Sequence, residues 1–80
     1  MKHIYVIQYN TSDGYHSYSH IERTAFTTIE KAVDHIKSEY GNAEERTTVS
    51  SESVKEFDLI PYEEYYGDAE WLEILKVEVE

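Results

Sequence analysis

Residues 2–9 crowd Ile4, Tyr5, Val6, Ile7 and Tyr9 into one short run. Such a density of β-branched and aromatic side chains predicts a strand. Alternation puts Ile4 and Val6 on one face and Tyr5, Ile7 and Tyr9 on the other. Apolar residues on both faces predict a central strand, covered on both sides. The run Asn10-Thr11-Ser12-Asp13-Gly14 then reads as a turn, with Asp-Gly as its strongest element. Tyr15 to Ser19 continues as a loop or the start of a strand, and residues 20–26 read as a second strand antiparallel to the first.

After position 26 the apolar spacing changes. Ile29, Ala32, Val33, Ile36 and Tyr40 recur at the helical period and predict one amphipathic helix. Thr27, with Glu30 three residues on, predicts a capping box at its start, and Gly41 a left-handed residue at its end. Glu30, Lys31, Asp34 and Lys37 are left for solvent. Residues 42–53 are polar and weakly patterned, which predicts a long loop with at most a short strand at Thr47-Thr48-Val49. Val54 to Ile60 reads as a strand stopped by Pro61. Residues 61–68 read as an exposed, acidic, tyrosine-rich connection holding about one helical turn. Trp71 to Val79 is the last strand, with Leu75, Val77 and Val79 expected to point inward and Lys76, Glu78 and Glu80 outward.

The resulting order is β-β-α-β-β, with no internal repeat. It predicts a single α+β domain over residues 1–80, in which one helix packs on one face of an antiparallel sheet of about four strands. One helix leaves the other sheet face to solvent, loops or a partner. Tyrosine suits such a face because its ring packs while its hydroxyl stays wet.

Composition adds three constraints. At 80 residues the chain buries only roughly 60% of its unfolded surface, so help from a partner or a second copy fits its size. It has no cysteine, hence neither disulfides nor thiolate metal sites, in keeping with a reducing compartment. The opening Met1-Lys2-His3-Ile4-Tyr5-Val6-Ile7-Gln8 is too short an apolar run for a signal peptide or a membrane span, which predicts a cytoplasmic protein.

Charge changes the picture most. The chain carries 17 acidic and 7 basic residues, a formal net charge of −10. Ten of the acids, against Lys55 and Lys76 alone, fall between Glu52 and Glu80. Aromatic content of 14%, with 8 tyrosines, argues that this acidity belongs to a folded surface rather than a disordered tail. Such a charge repels nucleic acid and anionic membrane and attracts basic protein surfaces.

Enzyme and metal signatures are absent from the spacing. His16 and His20 lie in a turn-to-strand stretch where four-residue spacing does not put two imidazoles side by side. No HExxH pattern accompanies them, and His3 and His35 are isolated. Glu63-Glu64 stand in a polar stretch, where solvation keeps both ionised and unsuited to acid–base work. No serine lies in a Gly-x-Ser-x-Gly elbow, and the 3 glycines are too dispersed to cradle a phosphate. The expectation is a non-enzymatic protein without cofactor or metal. Its scattered basic residues oppose direct binding to nucleic acid or membrane.

The remaining constellation is the stretch Tyr62-Glu63-Glu64-Tyr65-Tyr66-Gly67-Asp68-Ala69-Glu70-Trp71. Tyrosine and tryptophan are frequent hot-spot residues, and arginines of a partner can pair with the carboxylates while stacking on the rings. The candidate partner-binding residues are Glu56, Asp58, Tyr62, Glu63, Glu64, Tyr65, Tyr66, Asp68, Glu70, Trp71 and Glu73. One face of a strand offers a side chain only about every 6.7 Å, whereas each DNA strand carries a phosphate per roughly 3.4 Å of axial rise. A mimic therefore needs both sets of acids, Glu63, Glu64, Asp68 and Glu70 from the connection with Glu56, Asp58, Glu73 and Glu78 from strands.

In size, acidity, lack of cysteine and β-β-α opening, the chain resembles the small phage-encoded anti-defence proteins, which include anti-CRISPR proteins and DNA mimics. That resemblance implies an inhibitor whose carboxylates stand in for phosphates in the nucleic-acid channel of a larger basic protein. It carries over no catalytic residue. The alternative expectation is an interaction or assembly module that forms a homodimer through a tyrosine-rich sheet face.

Overall fold

The computed structural model describes residues 2–13, 15–49, 52–60 and 69–79. The elements are β1 (Lys2–Ser12), β2 (Ser17–Phe26), α1 (Ile29–Glu39), β3 (Glu44–Glu45), β4 (Lys55–Ile60) and β5 (Ala69–Val79). Five strands form one sheet in the order β2-β1-β5-β4-β3, and every neighbouring pair is antiparallel. The expected α+β arrangement, one helix on an antiparallel sheet, is what the chain adopts, with a two-residue fifth strand added at one edge.

β1 and β5 form the spine. Their register runs unbroken from Lys2↔Val79 to Ser12↔Ala69. Opposed residues in an antiparallel pair share a face, so this register assigns every side chain to one side or the other. Tyr5, Ile7 and Tyr9 fall on the same side as Leu72 and Ile74, and Phe57 of β4 joins them opposite Leu72. α1 covers this side with Ala32 and Ile36. Ile7, Ala32, Ile36, Phe57, Leu59, Leu72 and Ile74 make the buried core, and Tyr5, Tyr9, Phe26, Val33, Tyr40, Ala43 and Val54 pack around it.

A second contact ties the helix to β2. Glu22 accepts a hydrogen bond from the Tyr40 hydroxyl and lies 3.6 Å from His35 Nε2. The His35 ring meets Phe26 at 5.1 Å between centroids. Burial, ahead of the bond to Glu22, pushes the Tyr40 phenol up to about 12.

Several boundaries differ from the sequence expectation, each for a physical reason. β1 runs on through Asn10, Thr11 and Ser12 because β5 supplies ladder partners for all three. The hairpin is closed beyond them by Asp13, whose carboxylate accepts the N–H groups of Tyr15 at 2.9 Å and His16 at 2.6 Å. Those donors, His16 before Tyr15, hold the Asp13 carboxyl below its ordinary value. The helix is capped by Thr28, not Thr27: Thr28 is extended, and its hydroxyl accepts from Lys31 N–H at 3.2 Å. The third helical position is then Lys31, so no capping box forms. Tyr40 closes the helix by donating its N–H to Ile36 O at 2.7 Å, and Gly41 does not use the left-handed region. The short strand in the polar segment is Glu44–Glu45 rather than 47–49.

The facing of β5 is the largest correction. Leu72 and Ile74 are the residues under the helix, both fully buried. Leu75, Val77 and Val79 lie on the opposite, open face with Ile4 and Val6, and Val77 and Val79 remain 39% and 38% exposed. β1 is central, as expected, but only one of its faces is sealed. The expected uncovered tyrosine face is likewise not found among the described residues. Tyr5, Tyr9 and Tyr18 share the helix side of the sheet, Tyr15 is in the hairpin turn, and Tyr40 caps the helix. No helix among the described residues is long and apolar enough to cross a membrane.

Two outcomes follow from this facing. Ile74→Ala should lower unfolding free energy in urea by about 2–5 kcal/mol, whereas Val77→Ala should cost less than about 1 kcal/mol. The reverse order would mean that the facing of β5 is wrong. For Tyr40, the folded pKa lies above the ordinary phenol value, so its contribution is full below about pH 10 and is lost as pH rises through about 12. Titration of tyrosinate absorbance should therefore show a late phase that Tyr40→Phe removes.

Candidate functional site

The open sheet face divides along the β1/β5 axis. Toward Lys2 and Val79 it is aliphatic, with Ile4, Val6, Leu75, Val77 and Val79. Toward Ser12 and Ala69 it turns polar and acidic, and β4 and β3 extend that half sideways. Registers there place carboxylates directly opposite one another on neighbouring strands: Glu56 faces Glu73, and Glu44 faces Asp58. Like charges in such positions are destabilising.

One cation is set among them. Arg46 follows β3, and its backbone N–H bonds Glu56 O at 2.9 Å, which brings its side chain back across β4. Its guanidinium meets Glu56 Oε1 at 2.8 Å through Nη1. It meets Asp58 Oδ1 through Nε at 2.8 Å and Nη2 at 2.6 Å. Asp58, more than Glu56, holds this guanidinium above its ordinary pKa. The same group lies over the Trp71 ring, with Cζ 5.8 Å from the centroid, within cation–π range.

Glu73 is satisfied differently, by neutral donors. Its Oε1 accepts from Trp71 Nε1 at 3.1 Å and Asn10 Nδ2 at 3.4 Å, and its Oε2 from Ser53 Oγ at 2.9 Å. Gln8 in turn donates to Asn10 Oδ1 at 2.8 Å. Asn10, Ser53 and Glu56 are buried at 5%, 8% and 4% exposure, so the network is fixed in place rather than solvated. Among the described residues no buried side-chain nitrogen or oxygen lacks a hydrogen-bond partner. The arrangement is a pre-organised acidic surface around a Trp–Arg stack, with Glu44 and Asp58 at its outer edge.

Of the residues expected to bind a partner, Glu56, Asp58, Trp71 and Glu73 are gathered here. Glu70 is not, since its register partner Thr11 belongs to the helix side and its carboxylate accepts from the Tyr9 hydroxyl. Glu78 is also on the helix side, at the far end of β5, 3.6 Å from His3 Nε2. Tyr62, Glu63, Glu64, Tyr65, Tyr66 and Asp68 lie outside the described residues, as do Pro61, Gly14 and Glu80. Sequence reasoning missed Arg46, Glu44, Ser53, Asn10 and Gln8. Only strand register brings them to Trp71 and Glu73, and no local motif signals it. Among the described residues no cluster of three or more histidines and carboxylates has the arrangement of a metal site.

Comparison with known proteins yields no match to any protein-family model, curated protein or solved structure.

The ion-pair geometry makes a double-mutant prediction. Arg46→Met keeps a stem over Trp71 but leaves Glu56 buried beside Glu73 without its cation, and should cost about 2–4 kcal/mol in urea unfolding. Adding Glu56→Gln should recover a large part of that loss. Equal losses in the single and double variants would show that the charge pair is not what Arg46 contributes.

Proposed function

We propose that this chain is a non-enzymatic acidic binding protein that occupies the basic, nucleic-acid-binding surface of a larger protein and so inhibits or modulates it. The observation that carries this reading is the concentration of carboxylates on the open sheet face. Strand register sets Glu44 against Asp58 and Glu56 against Glu73, with Arg46 as the cation bridging between them. A fold selected for stability alone has no reason to oppose like charges on adjacent strands. A surface that must present negative charge at close spacing does.

The two pairs differ in what they offer. Glu56 and Glu73 are committed to Arg46, Ser53, Trp71 and Asn10, so they shape the surface more than they meet a partner. Glu44 is exposed, while Asp58, 35% exposed at its side chain, is reached from solvent but shares Oδ1 with Arg46. Adjacent strands lie about 4.8 Å apart, so carboxylates opposed across strands stand nearer one another than the roughly 6.7 Å repeat along one face of a strand. The 61–68 stretch adds Glu63, Glu64 and Asp68 to the acidic inventory. The partner is an intracellular protein with an arginine- or lysine-lined groove, as for the small phage-encoded inhibitors that the chain resembles.

The test is affinity capture with the chain as bait, from cells that make it, with elution by a salt gradient and separately by duplex DNA. A nucleic-acid-binding protein released by both is expected, because opposite fields steer and hold such a complex. Glu44→Lys combined with Asp58→Asn should weaken capture by at least about tenfold. Capture that resists salt and DNA, or that is indifferent to the charge variant, would sink the reading.

A further inference from the structure

Among the described residues, one end of β5 runs on past the strand at its outer side. β4 pairs with β5 only as far as Lys55↔Ile74, and the last contact on that edge is Val54 N–H to Ile74 O at 2.9 Å. β1 accompanies β5 on its other side all the way to Val79. Among the described residues, Leu75 to Val79 therefore keep an outer edge without a strand partner. The other sheet edges are blunted. β3 is two acidic residues long, and β2 carries a bulge opposite Val6–Gln8. Short charged strands and bulges are the usual devices against edge-to-edge pairing. The β5 edge is without a bulge, its Lys76 and Glu78 alternate with aliphatic side chains, and Val77 and Val79 are more than a third exposed.

We propose that this edge pairs with the same edge of a second copy, antiparallel about Val77, to give a two-fold dimer with one continuous sheet. The occupant is specified by self-complementarity. With Val77 opposite the partner's Val77, Lys76 lies opposite the partner's Glu78 and Glu78 opposite the partner's Lys76. Both charge pairs fall on the helix side of the sheet. On the open face Leu75 approaches the partner's Val79, so the aliphatic halves of the two open faces become continuous. A two-fold axis makes each favourable contact twice.

Among the described residues, charge local to this contact does not oppose it. The paired end of the ribbon carries Lys2 and Lys76 against Glu78. Glu73, the nearest carboxylate of the acidic half, is four residues from Val77. That is roughly 13 Å along a strand, beyond a Debye length of about 8 Å at physiological salt. The edge is already extended and held by β1, so little ordering entropy is lost on pairing. This surface is separate from the acidic half of the open face, and the dimer stands or falls independently of the function proposed above.

Sedimentation equilibrium of the full chain, from micromolar to millimolar concentration, tests it. The wild type should show a monomer–dimer equilibrium. Lys76→Glu sets carboxylate against carboxylate at both ends of the ladder, and Glu78→Lys sets ammonium against ammonium. Each alone should weaken the dimer by about tenfold or more, with an unchanged far-ultraviolet circular dichroism spectrum. The two single variants mixed in equal amounts should form a heterodimer, because the new carboxylate at 76 then meets the new ammonium at 78 in one pair and native Glu78 meets native Lys76 in the other. The double variant should dimerise like the wild type, which guards against a single variant that merely folds poorly. A wild type that stays monomeric throughout, single variants that dimerise undiminished, or a mixture that forms no heterodimer would each overturn the proposal.

Discussion

An eleven-residue helix cannot cover a five-stranded sheet, and most of what distinguishes this molecule follows from that mismatch. The helix is roughly 16 Å long, while β1 and β5, eleven residues each, run for roughly 36 Å. Ala32 and Ile36 seal the middle of one face, where Ile7, Leu72, Ile74 and Phe57 meet them. Past that contact the β1/β5 ribbon continues unsheltered, which is why Lys76 and Glu78 occupy the helix side of β5 without being buried. Among the described residues the opposite face carries no helix, and its solution is chemical rather than steric. One half stays aliphatic and partly wet, and the other is closed by hydrogen bonds among polar side chains.

Arg46 is central to that second half. Without a cation, Glu56 at 4% exposure would be an uncompensated charge beside Glu73, at a cost no small domain carries easily. Trp71 does two jobs in the same space, donating to Glu73 and presenting its ring to the guanidinium. The pairing of β3 with β4 is only two residues long, yet it brings Arg46 into position, so the shortest strand positions the most consequential side chain. Networks of this kind stabilise one arrangement of neighbouring strands against slipped alternatives, because a shift of one residue would leave several buried polar groups without partners.

What could be read from the chain beforehand was whatever depends on neighbours in sequence. The helix, its buried face and the strand character of residues 2–9, 20–26, 54–60 and 71–79 are local patterns, and all are present. Facing was not legible for β5, because Leu72 and Ile74 alternate with Trp71, Leu75 and Val77, giving two apolar sets of similar strength. Only the partner strand decides which set goes under the helix. The cap slipped from Thr27 to Thr28 because adjacent threonines offer the same hydroxyl, and backbone extension at Thr28 selects one. Glu44–Glu45 was illegible for the opposite reason, since two glutamates have little strand preference and are held by β4 alone. Of the candidate interface, the acidic content was visible. The division of Glu70 from Glu56, Asp58 and Glu73 was not, because it depends on the parity of a long-range register.

Function is sought where local preference and global structure disagree. Two opposed carboxylate pairs, a buried glutamate and a half-exposed Trp–Arg stack are each costly relative to an aliphatic face, and all are confined to one half of one side. Elsewhere the chain follows ordinary rules: apolar residues under the helix, a threonine cap, a short acidic edge. Solubility alone does not require the acids to be opposed, since exposed positions on α1 and β2 could carry them at lower cost. Close spacing across strands raises local charge density, and under the function proposed above a groove built to hold a phosphate backbone would respond to it.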